Sequence, residues 1–295
     1  MIITKICKYV YGIILISFTI YVLLDTFVIS EAYTTVQSHQ DTTANSNDKG
    51  KVIVNDTSYQ DEHIQITITT YREDDTNIYV ADVVLDDPSY LKTAFAKSTY
   101  GKNIVDKTSN IALENQAILA INGDYYGVQE AGYVLKNGVI YRDKVKNHQE
   151  DLVIYKNGTF AVICENDVSI ETLLKNDAYQ ILAFGPPLIE DGKISVSTTD
   201  EVGKSMNSNP RTAIGIINHH HYVFIVSDGR TSQSKGLSLY QLATFMDSLG
   251  CKMAYNLDGG GSSTMYFNGR IINQPTTNGN RIGERSVSDI VYIGY

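Results

Sequence analysis

A glycine-rich turn between a short apolar strand and a hairpin limits most strongly what this chain can fold into. Residues 253–257 predict a buried strand, and residues 265–272 predict a hairpin on the turn Asn268-Gly269. Between them lies Asp258-Gly259-Gly260-Gly261-Ser262-Ser263-Thr264. Glycines accept positive φ angles and let the backbone approach a ligand closely. The stretch therefore predicts a strand end whose carboxylate and hydroxyls suit a sugar or a phosphate, the alternative being a wide turn with a solvated aspartate.

Two common glycine-rich motifs do not fit this stretch. No Gly-Lys-Ser/Thr follows the glycines, and a hairpin stands where the phosphate-binding helix of a nucleotide site should begin. A serine-nucleophile hydrolase is also disfavoured, because Gly261-Ser262-Ser263 lacks the pattern Gly-x-Ser-x-Gly.

The composition argues against nucleic acid as the main partner. The 295 residues carry a formal net charge of −9, which would repel a phosphate backbone or an anionic membrane surface. The 3 cysteines have no zinc-ligand spacing. Cys164 and Cys251 both lie in apolar surroundings, so we expect two buried thiols rather than a disulfide. We expect no cofactor and no metal.

The first 60 residues predict a membrane segment followed by a polar stalk. Lys5 and Lys8 precede an apolar run from Tyr9 to Leu24. Residues 1–30 therefore predict a single-pass signal-anchor in the cell membrane, with the following domain outside the cytoplasm. A cleaved signal peptide, which would give a secreted protein, is the alternative. Residues 31–60 are polar and without apolar period, and they predict a stalk.

Residues 61–295 predict one domain of the α+β class. Strict alternation of apolar and polar residues predicts a half-buried strand over residues 63–68, and residues 78–85 predict a second strand paired with it. Helices are expected over residues 104–115, 169–175 and 238–249. Other strands and hairpin turns are expected at residues 117–121, 137–138, 157–158, 213–217, 222–226 and 287–293. Because strands outnumber helices and helices occur singly, we expect a mixed β-sheet core with several hairpins and a few helices packed on it.

Several predicted strand ends carry charged residues beside glycine. The residues concerned are Asp124, Asp228 and Asp258, with Arg211, Arg230 and Arg285 at comparable positions. A single turn aspartate is more often structural than catalytic. Strand ends at one edge of a sheet converge, however, and carboxylates together with arginines suit an anionic, oxygen-rich substrate.

Five motifs in this order resemble the phosphodiester glycosidase family. They are Asn122-Gly123-Asp124-Tyr125-Tyr126, Pro210–Gly215, Asp228-Gly229-Arg230, Asn256–Ser263 and Arg285–Asp289. The resemblance covers about residues 115–295. It implies a single catalytic domain that hydrolyses the bond between a sugar's anomeric carbon and a phosphodiester oxygen, and it suggests N-acetylglucosamine as the sugar. One departure is Asp124, where the family pattern often carries a small residue.

The resemblance and the chemistry together assign expected roles. Asp258 first and Asp124 second are the carboxylates expected to stabilise positive charge on the sugar or to activate water. Arg211 and Arg285 are expected to neutralise the departing phosphate. The residues expected to bind substrate are Asn122, Tyr125, Asp228, Arg230, Gly259, Gly260, Gly261, Ser262 and Ser263.

Two other functions stay open on the sequence alone. A metal-dependent phosphodiesterase could use the three aspartates with His219-His220-His221. That run is predicted at a hairpin tip, however, where successive side chains point to opposite faces of the strand and cannot bind one metal together. A non-catalytic envelope module that binds polysaccharide would also suit an anchored, tyrosine-rich chain. We favour the glycosidase, acting on cell-surface or exopolysaccharide material. Its expected partners are a glycan or sugar-phosphate substrate and the membrane through the N-terminal helix, and not nucleic acid.

Overall fold

The structure, a computed structural model, describes residues 2–36, 52–200, 208–277 and 281–295. Within these ranges the chain forms four α-helices and a larger number of short strands. The helices are α1 (Ile2–Phe27), α2 (Thr108–Glu114), α3 (Ile170–Lys175) and α4 (Leu239–Ser248).

The strands follow one another in short hairpins along the chain. The first twelve are β1 (Glu31–Thr35), β2 (Ile53–Val54), β3 (Ser58–Gln60), β4 (Ile64–Glu73), β5 (Thr76–Leu85), β6 (Leu91–Phe95), β7 (Thr99–Lys102), β8 (Leu119–Asn122), β9 (Val134–Lys136), β10 (Val139–Arg142), β11 (Glu150–Tyr155) and β12 (Phe160–Cys164). The others are β13 (Ala178–Leu182), β14 (Pro187–Glu190), β15 (Lys193–Ile194), β16 (Arg211–Asn218), β17 (His221–Ser227), β18 (Met253–Leu257), β19 (Met265–Phe267), β20 (Arg270–Ile271), β21 (Thr276–Thr277), β22 (Arg281–Ile282) and β23 (Asp289–Ile293).

Two sheets carry the architecture. A nine-stranded sheet has the order β15-β14-β18-β16-β17-β5-β4-β3-β2, and a five-stranded sheet has the order β20-β19-β8-β23-β6. A three-stranded sheet, β12-β11-β13, closes one side. The pairings among the described strands of these sheets are antiparallel. The predicted α+β class, a sheet core with several hairpins and a few helices, is confirmed.

The main hydrophobic core lies between the sheets. It combines Ile66 and Leu257 of the nine-stranded sheet with Ile121 and Val291 of the five-stranded sheet, all fully buried. Strand alternation turns the opposite residues outward, where α4 covers the outer face of the nine-stranded sheet and α2 covers that of the five-stranded sheet. The domain therefore has four layers, in the order α4, nine-stranded sheet, five-stranded sheet and α2. The glycine-rich turn lies at one end of the two sheets.

Several strands and helices lie where the sequence predicts them. β18 begins and ends at the predicted residues, and α4 begins after Ser238, which caps it in a capping box with Gln241. The helix expected over residues 104–115 is shorter, because Asp106 is paired with Val287 through two backbone hydrogen bonds and α2 therefore starts at Thr108.

The stalk predicted over residues 31–60 is only partly correct, because strands β1, β2 and β3 lie within it. Residues 37–51 of the predicted stalk are outside the described part of the chain. Strand β1 is exposed at every residue, and it pairs with β7 through its backbone and through the ring of Tyr33, whose centroid lies 5.7 Å from that of Tyr100. It buries no apolar side chains, so it leaves no hydrophobic pattern in the sequence for a prediction to find.

Helix α1 continues directly into contacts with the domain. Lys102 Nζ lies 3.3 Å from Asp25 Oδ2, and Asn103 Nδ2 donates to the carbonyl oxygens of Thr26 at 3.3 Å and Ile29 at 2.9 Å. Among the described helices, α1 alone is long and apolar enough to cross a membrane, over residues 8–27 and with no part of that span buried. It agrees with the predicted membrane segment in position and length.

The Ser238 cap is open to a direct test. We expect Ser238→Ala to lower the free energy of unfolding by about 1 kcal/mol, because the amide of Gln241 loses its acceptor. For a domain of this size the melting temperature should fall by roughly 2–4 °C. The matched control is Ser248→Ala at the other end of α4, where the lost hydroxyl only donates to the carbonyl of Phe245. Equal stability of the two variants in thermal unfolding would contradict the role of the cap.

Candidate active site

The side chain of Asn122 joins the two sheets at the end that carries the glycine-rich turn. Its Oδ1 accepts from Thr212 Oγ1 at 2.8 Å and from the backbone N–H of Thr264 at 3.2 Å. Its Nδ2 donates to the carbonyl oxygen of Asp258 at 2.6 Å. Because both atoms of the amide are used, Asn122 fixes the turn in place and has little capacity left for a substrate hydroxyl.

Asp258 forms a closed hydrogen-bonded group with Arg285 and Ser262. Arg285 Nη2 donates to both carboxylate oxygens of Asp258, at 3.1 and 2.9 Å, and Arg285 Nε donates to Ser262 Oγ at 2.9 Å. Ser262 Oγ in turn donates to Asp258 Oδ2 at 2.6 Å. Asp258 is 8% exposed, whereas the side chain of Arg285 is 45% exposed. The carboxylate is therefore held at the base of the group and the guanidinium opens toward solvent.

Burial raises the pKa of Asp258, against the opposing effects of the Arg285 charge and the Ser262 hydrogen bond. The carboxylate is thus kept in a dry setting with one cation beside it. Such a group can stabilise a nearby positive centre or accept a proton.

Arg230 brings a second guanidinium to the same turn. Its Nε and Nη2 both donate to Asn209 Oδ1, at 3.2 and 2.9 Å. Burial, followed by the charge of Arg285, lowers the pKa of Arg230, and no carboxylate among the described residues pairs with it. Among the described residues, the two guanidinium groups share one carboxylate, Asp258, and this arrangement favours an anionic ligand with several oxygens.

The glycines allow this close packing of backbone and arginine. Gly260 has φ +63°, and a Cβ built on it would lie 3.0 Å from Arg230 Nη2. A Cβ on Gly259 would lie 2.8 Å from the carbonyl oxygen of Pro210. Any side chain at either position would push against the groups that form the site, which explains the glycine run in physical terms.

A separate cleft of about 580 Å³ lies along Gly185–Pro187, next to strand β18. Its described lining contains Glu150, Glu190 and Asp200 but no lysine or arginine, and Asp258 does not contribute to it. An acidic lining does not suit a phosphate, so we place the candidate site at the turn and not in this cleft.

The family is decided by comparison with known sequences. The sequence profile described as phosphodiester glycosidase matches residues 115–294. The chain belongs to the phosphodiester glycosidase family. Its relatives include the SPbeta prophage-derived uncharacterized protein YomE of Bacillus subtilis (strain 168), which is 30% identical over 203 residues. The match covers 67% of this chain and 31% of that protein.

Mouse N-acetylglucosamine-1-phosphodiester alpha-N-acetylglucosaminidase is 29% identical over 175 residues, covering 54% of this chain and 33% of that protein. The matches therefore span about a third of the length of these relatives. The catalytic domain of the zebrafish enzyme of the same name, auto-inhibited by its pro-peptide, has a similar fold with a TM-score of 0.61 and 19% identity. The similarity covers 90% of this chain and 88% of that domain.

Within this phosphodiester glycosidase domain, the backbone of Arg211 lies against the turn, with its Cα 3.8 Å from a Cβ built on Gly259, but its side chain follows the face covered by α4. Arg211 is 3% exposed, and its Nε donates to the carbonyl oxygen of Leu237 at 2.8 Å. By strand alternation it shares the face of Ala213, which packs with α4, while Thr212 points to Asn122. Arg230 supplies a guanidinium close to Arg285, and the role expected for Arg211 stays a prediction.

Asp228 and Asp124 are both buried and bonded within the protein. Asp228 accepts from Tyr79 Oη at 3.0 Å and from the backbone N–H of Gln274 at 2.7 Å, and burial raises its pKa. Asp124 is 2% exposed and lies 3.1 Å from Lys136 Nζ. Neither carboxylate joins the Asp258 group through a side-chain contact, so both are better explained as supports of the loops that carry them.

The other expected contacts divide into two kinds. Tyr125 lies in the loop that follows Asn122 and is 42% exposed, so its ring is accessible to a ligand. Ser263 is buried, and its carbonyl oxygen accepts from Asn273 Nδ2 at 2.9 Å. Gly261 lies against Thr277 and Arg285, and its carbonyl oxygen accepts the backbone N–H of Arg285 at 3.0 Å.

In the part of the chain that is described, no group of three His, Cys, Asp or Glu side chains is placed to hold a metal ion. His221 instead contacts Asp82 at 2.9 Å, on the hairpin where the histidine run was expected. Cys251 is a buried free thiol as expected, whereas the free thiol of Cys164 is partly exposed.

Sequence reasoning missed Asn209, Lys136 and Asn273. Each supports a predicted site residue: Asn209 holds Arg230, Lys136 holds Asp124, and Asn273 contacts Asp228. Asn209 precedes the Pro210-Arg211 motif directly, so its position next to that motif is the one signal in the sequence that could have indicated it.

The contact between Gly260 and Arg230 can be tested with an inert anion. Gly260→Ala should cost about 1–2 kcal/mol of unfolding free energy, since an L-residue is strained at positive φ. It should also weaken sulfate binding by roughly tenfold, because the new methyl group displaces Arg230. Gly269→Ala is the matched control, with φ +86° and open space around its Cβ. Chemical denaturation and calorimetric titration with sulfate should show the strain in both variants and the lost affinity only in the first.

Proposed function

We propose that this chain is a phosphodiester glycosidase that hydrolyses sugar-1-phosphodiesters at the turn formed by residues 258–263. The observation that carries the proposal is the Asp258 carboxylate bonded to Arg285, with a second guanidinium, Arg230, close to Arg285 and without a carboxylate partner in the described chain. Family membership supports the same reaction class. The relatives named for the N-acetylglucosamine-1-phosphodiester reaction suggest N-acetylglucosamine as the sugar.

The arginines suit the leaving group. As the bond between the anomeric carbon and the phosphodiester oxygen breaks, its electron pair stays on the phosphate, which leaves as a monoester. Arg230 and Arg285 would bind the phosphate oxygens and neutralise the charge that develops there. A phosphate monoester is already a good leaving group, so the reaction does not depend on a strong general acid.

Asp258 suits the sugar. The anomeric carbon becomes electron-poor in the transition state, and a carboxylate beside it stabilises that charge. Water supplies the oxygen that bonds to the anomeric carbon, and Asp258 is the base that takes the water's proton. Because Arg285 contacts Asp258 and also faces solvent, it holds the carboxylate next to the position of the phosphate.

We place the substrate outside the cytoplasm, on cell-surface or exopolysaccharide material. Lys5 and Lys8, near the N-terminal end of α1, favour an orientation with the domain exported. An uncleaved α1 would anchor the enzyme in the cell membrane, and fractionation of cells into membrane and medium distinguishes an anchor from a cleaved signal peptide.

Labelled water shows which bond is broken, because its oxygen ends in the sugar after glycosidic cleavage and in the phosphate after phosphodiester cleavage. Hydrolysis of N-acetylglucosamine-1-phosphodiesters in H₂¹⁸O should place the label in the free reducing sugar and none in the phosphate monoester. Label in phosphate, with release of sugar-1-phosphate, would instead identify a phosphodiesterase. Absence of any product across a panel of sugar-1-phosphodiesters would favour a binding module and overturn the proposal.

Asp258→Asn should lower kcat by roughly 10²–10⁴-fold with a smaller change in KM, because the base and the stabilising charge are lost while the shape is kept. The matched control is Asp177→Asn, whose carboxylate pairs with Lys156 at the surface. A kcat within tenfold of the unsubstituted enzyme would exclude Asp258 as the catalytic carboxylate.

Arg230→Met and Arg285→Met should each lower kcat/KM by about 10²–10³-fold, since each removes a donor from the departing phosphate. Arg270→Met serves as control, because Arg270 makes only an exposed contact with Asp56. Steady-state kinetics that show the same activity for Arg230→Met and Arg270→Met would remove Arg230 from the phosphate site.

A further inference from the structure

A lysine lies fully inside the protein behind the candidate site. Lys136, the last residue of β9, is 2% exposed. Its Nζ lies 2.8 Å from Asp289 Oδ2 and 3.1 Å from Asp124 Oδ2. Asp124 and Asp289 are themselves buried, so the three side chains form a charge cluster without solvent, which we call the buried triad. Removing Lys136 from this cluster would leave buried carboxyl groups without a cation.

One arm of the triad leads to Asp258. Asp124 accepts the backbone N–H of Tyr126 at 3.0 Å and that of Ala183 at 3.1 Å, which fixes the loop after β8. The preceding residue, Gly123, offers its carbonyl oxygen to the backbone N–H of Asp258 at 3.4 Å. Any shift of Asp124 would therefore move the segment that holds the catalytic carboxylate.

The other arm leads to Arg285. Asp289 is the first residue of β23, four positions after Arg285, and its carbonyl oxygen accepts the backbone N–H of Gly123 at 2.9 Å. Between them, Val287 is tied to Asp106 by two backbone hydrogen bonds. The start of β23 thus determines where the Arg285 segment leaves the sheet and returns to the turn.

We propose that Lys136 is a positioning residue that holds the Asp258 and Arg285 segments together, and that the protonation state of the buried triad sets the alkaline limit of the activity. The proposal rests on the proposed function of the Asp258 site. Lys136 touches neither Asp258 nor Arg285 through a hydrogen bond or ion pair in the described chain, so it acts only through Asp124 and Asp289.

The triad contains more acid than base. Its two carboxyl groups face one ammonium group, with the Tyr126 hydroxyl near both carboxyls and the buried Asp151 facing Asp124. Burial, followed by the charge of Asp124, raises the pKa of Asp289 to about 7, against the opposing charge of Lys136. Asp289 Oδ1 also has no hydrogen-bond partner in the described chain, which suits a protonated carboxyl better than a carboxylate.

The direction of the pH effect follows from this shift. A carboxyl whose folded-state pKa is raised binds its proton more tightly in the folded protein than in the unfolded chain. Its contribution to stability is complete below the unfolded value and is lost as pH rises through the folded value. Above about pH 7 the triad gains a buried negative charge, and the two segments that it holds should loosen.

Asp289→Asn is the central test, because an amide mimics the protonated carboxyl and keeps its shape. In the unsubstituted enzyme we expect kcat/KM to rise with pH as Asp258 ionises and to fall by at least about tenfold once Asp289 ionises. In Asp289→Asn the rise should remain and the fall near pH 7 should disappear. A profile that superimposes on that of the unsubstituted enzyme overturns the proposal, since a merely structural residue would change the melting temperature without moving the profile.

Lys136→Met supplies the second measurement. We expect kcat to fall by roughly 100-fold, as for a site misplaced by about 1 Å. The double variant Lys136→Met with Asp289→Asn, which keeps one buried carboxyl group instead of two without a cation, should recover part of that loss above pH 7. Lys156→Met is the control, because Lys156 forms an exposed pair with Asp177. If Lys136→Met does not fold, Asp289→Asn decides alone.

Sulfate affinity separates failure of this proposal from failure of the proposed function. Sulfate does not titrate in this range, and its binding to Arg230 and Arg285 requires no turnover. If the enzyme cleaves no sugar-1-phosphodiester but loses sulfate affinity above pH 7 in an Asp289-dependent manner, the positioning role stands and the reaction is wrong. If turnover occurs while sulfate affinity and kcat/KM are independent of Asp289, the reaction stands and the positioning role is wrong.

Discussion

The amide of Asn122 is the interaction on which the candidate site depends. Asn122 ends a strand of the five-stranded sheet, yet its side chain contacts Thr212 of the nine-stranded sheet and the carbonyl of Asp258. Apolar packing between two sheets tolerates small slides, whereas a buried amide loses hydrogen bonds as soon as the layers shift. The side chain of Asn122 therefore fixes the relative position of the two sheets at the end that carries the candidate site.

The charges around the turn add little to the folding stability of the protein itself. A partly buried ion pair such as Asp258 and Arg285 contributes little net stability, because desolvation offsets its attraction. A second guanidinium at Arg230 adds repulsion with no carboxylate of its own among the described residues. A structure selected only for stability has no need of this arrangement, so the unfavourable balance is the strongest physical sign that the site exists to bind an anion.

The sequence predicted the elements better than it predicted the contacts. Strand β18 and helix α4 were found because their apolar residues repeat with the period of the element. The contact of Arg211 with the carbonyl oxygen of Leu237 could not be predicted, because a shift of one residue along a strand decides which face a side chain occupies and the motif does not show that position. Lys136 was missed because its partner Asp289 is 153 residues away, a separation that no local pattern reports.

The short connection between α1 and the domain limits how far the domain can move from the helix. A flexible tether would let the enzyme sample a wide radius around its anchor. Here hydrogen bonds to Asn103 begin at Thr26, before the helix has ended, and β1 continues the attachment along an edge strand. With α1 in a bilayer, these contacts would hold the domain close to the membrane surface, and its loops would reach groups near the lipid and not groups far from it.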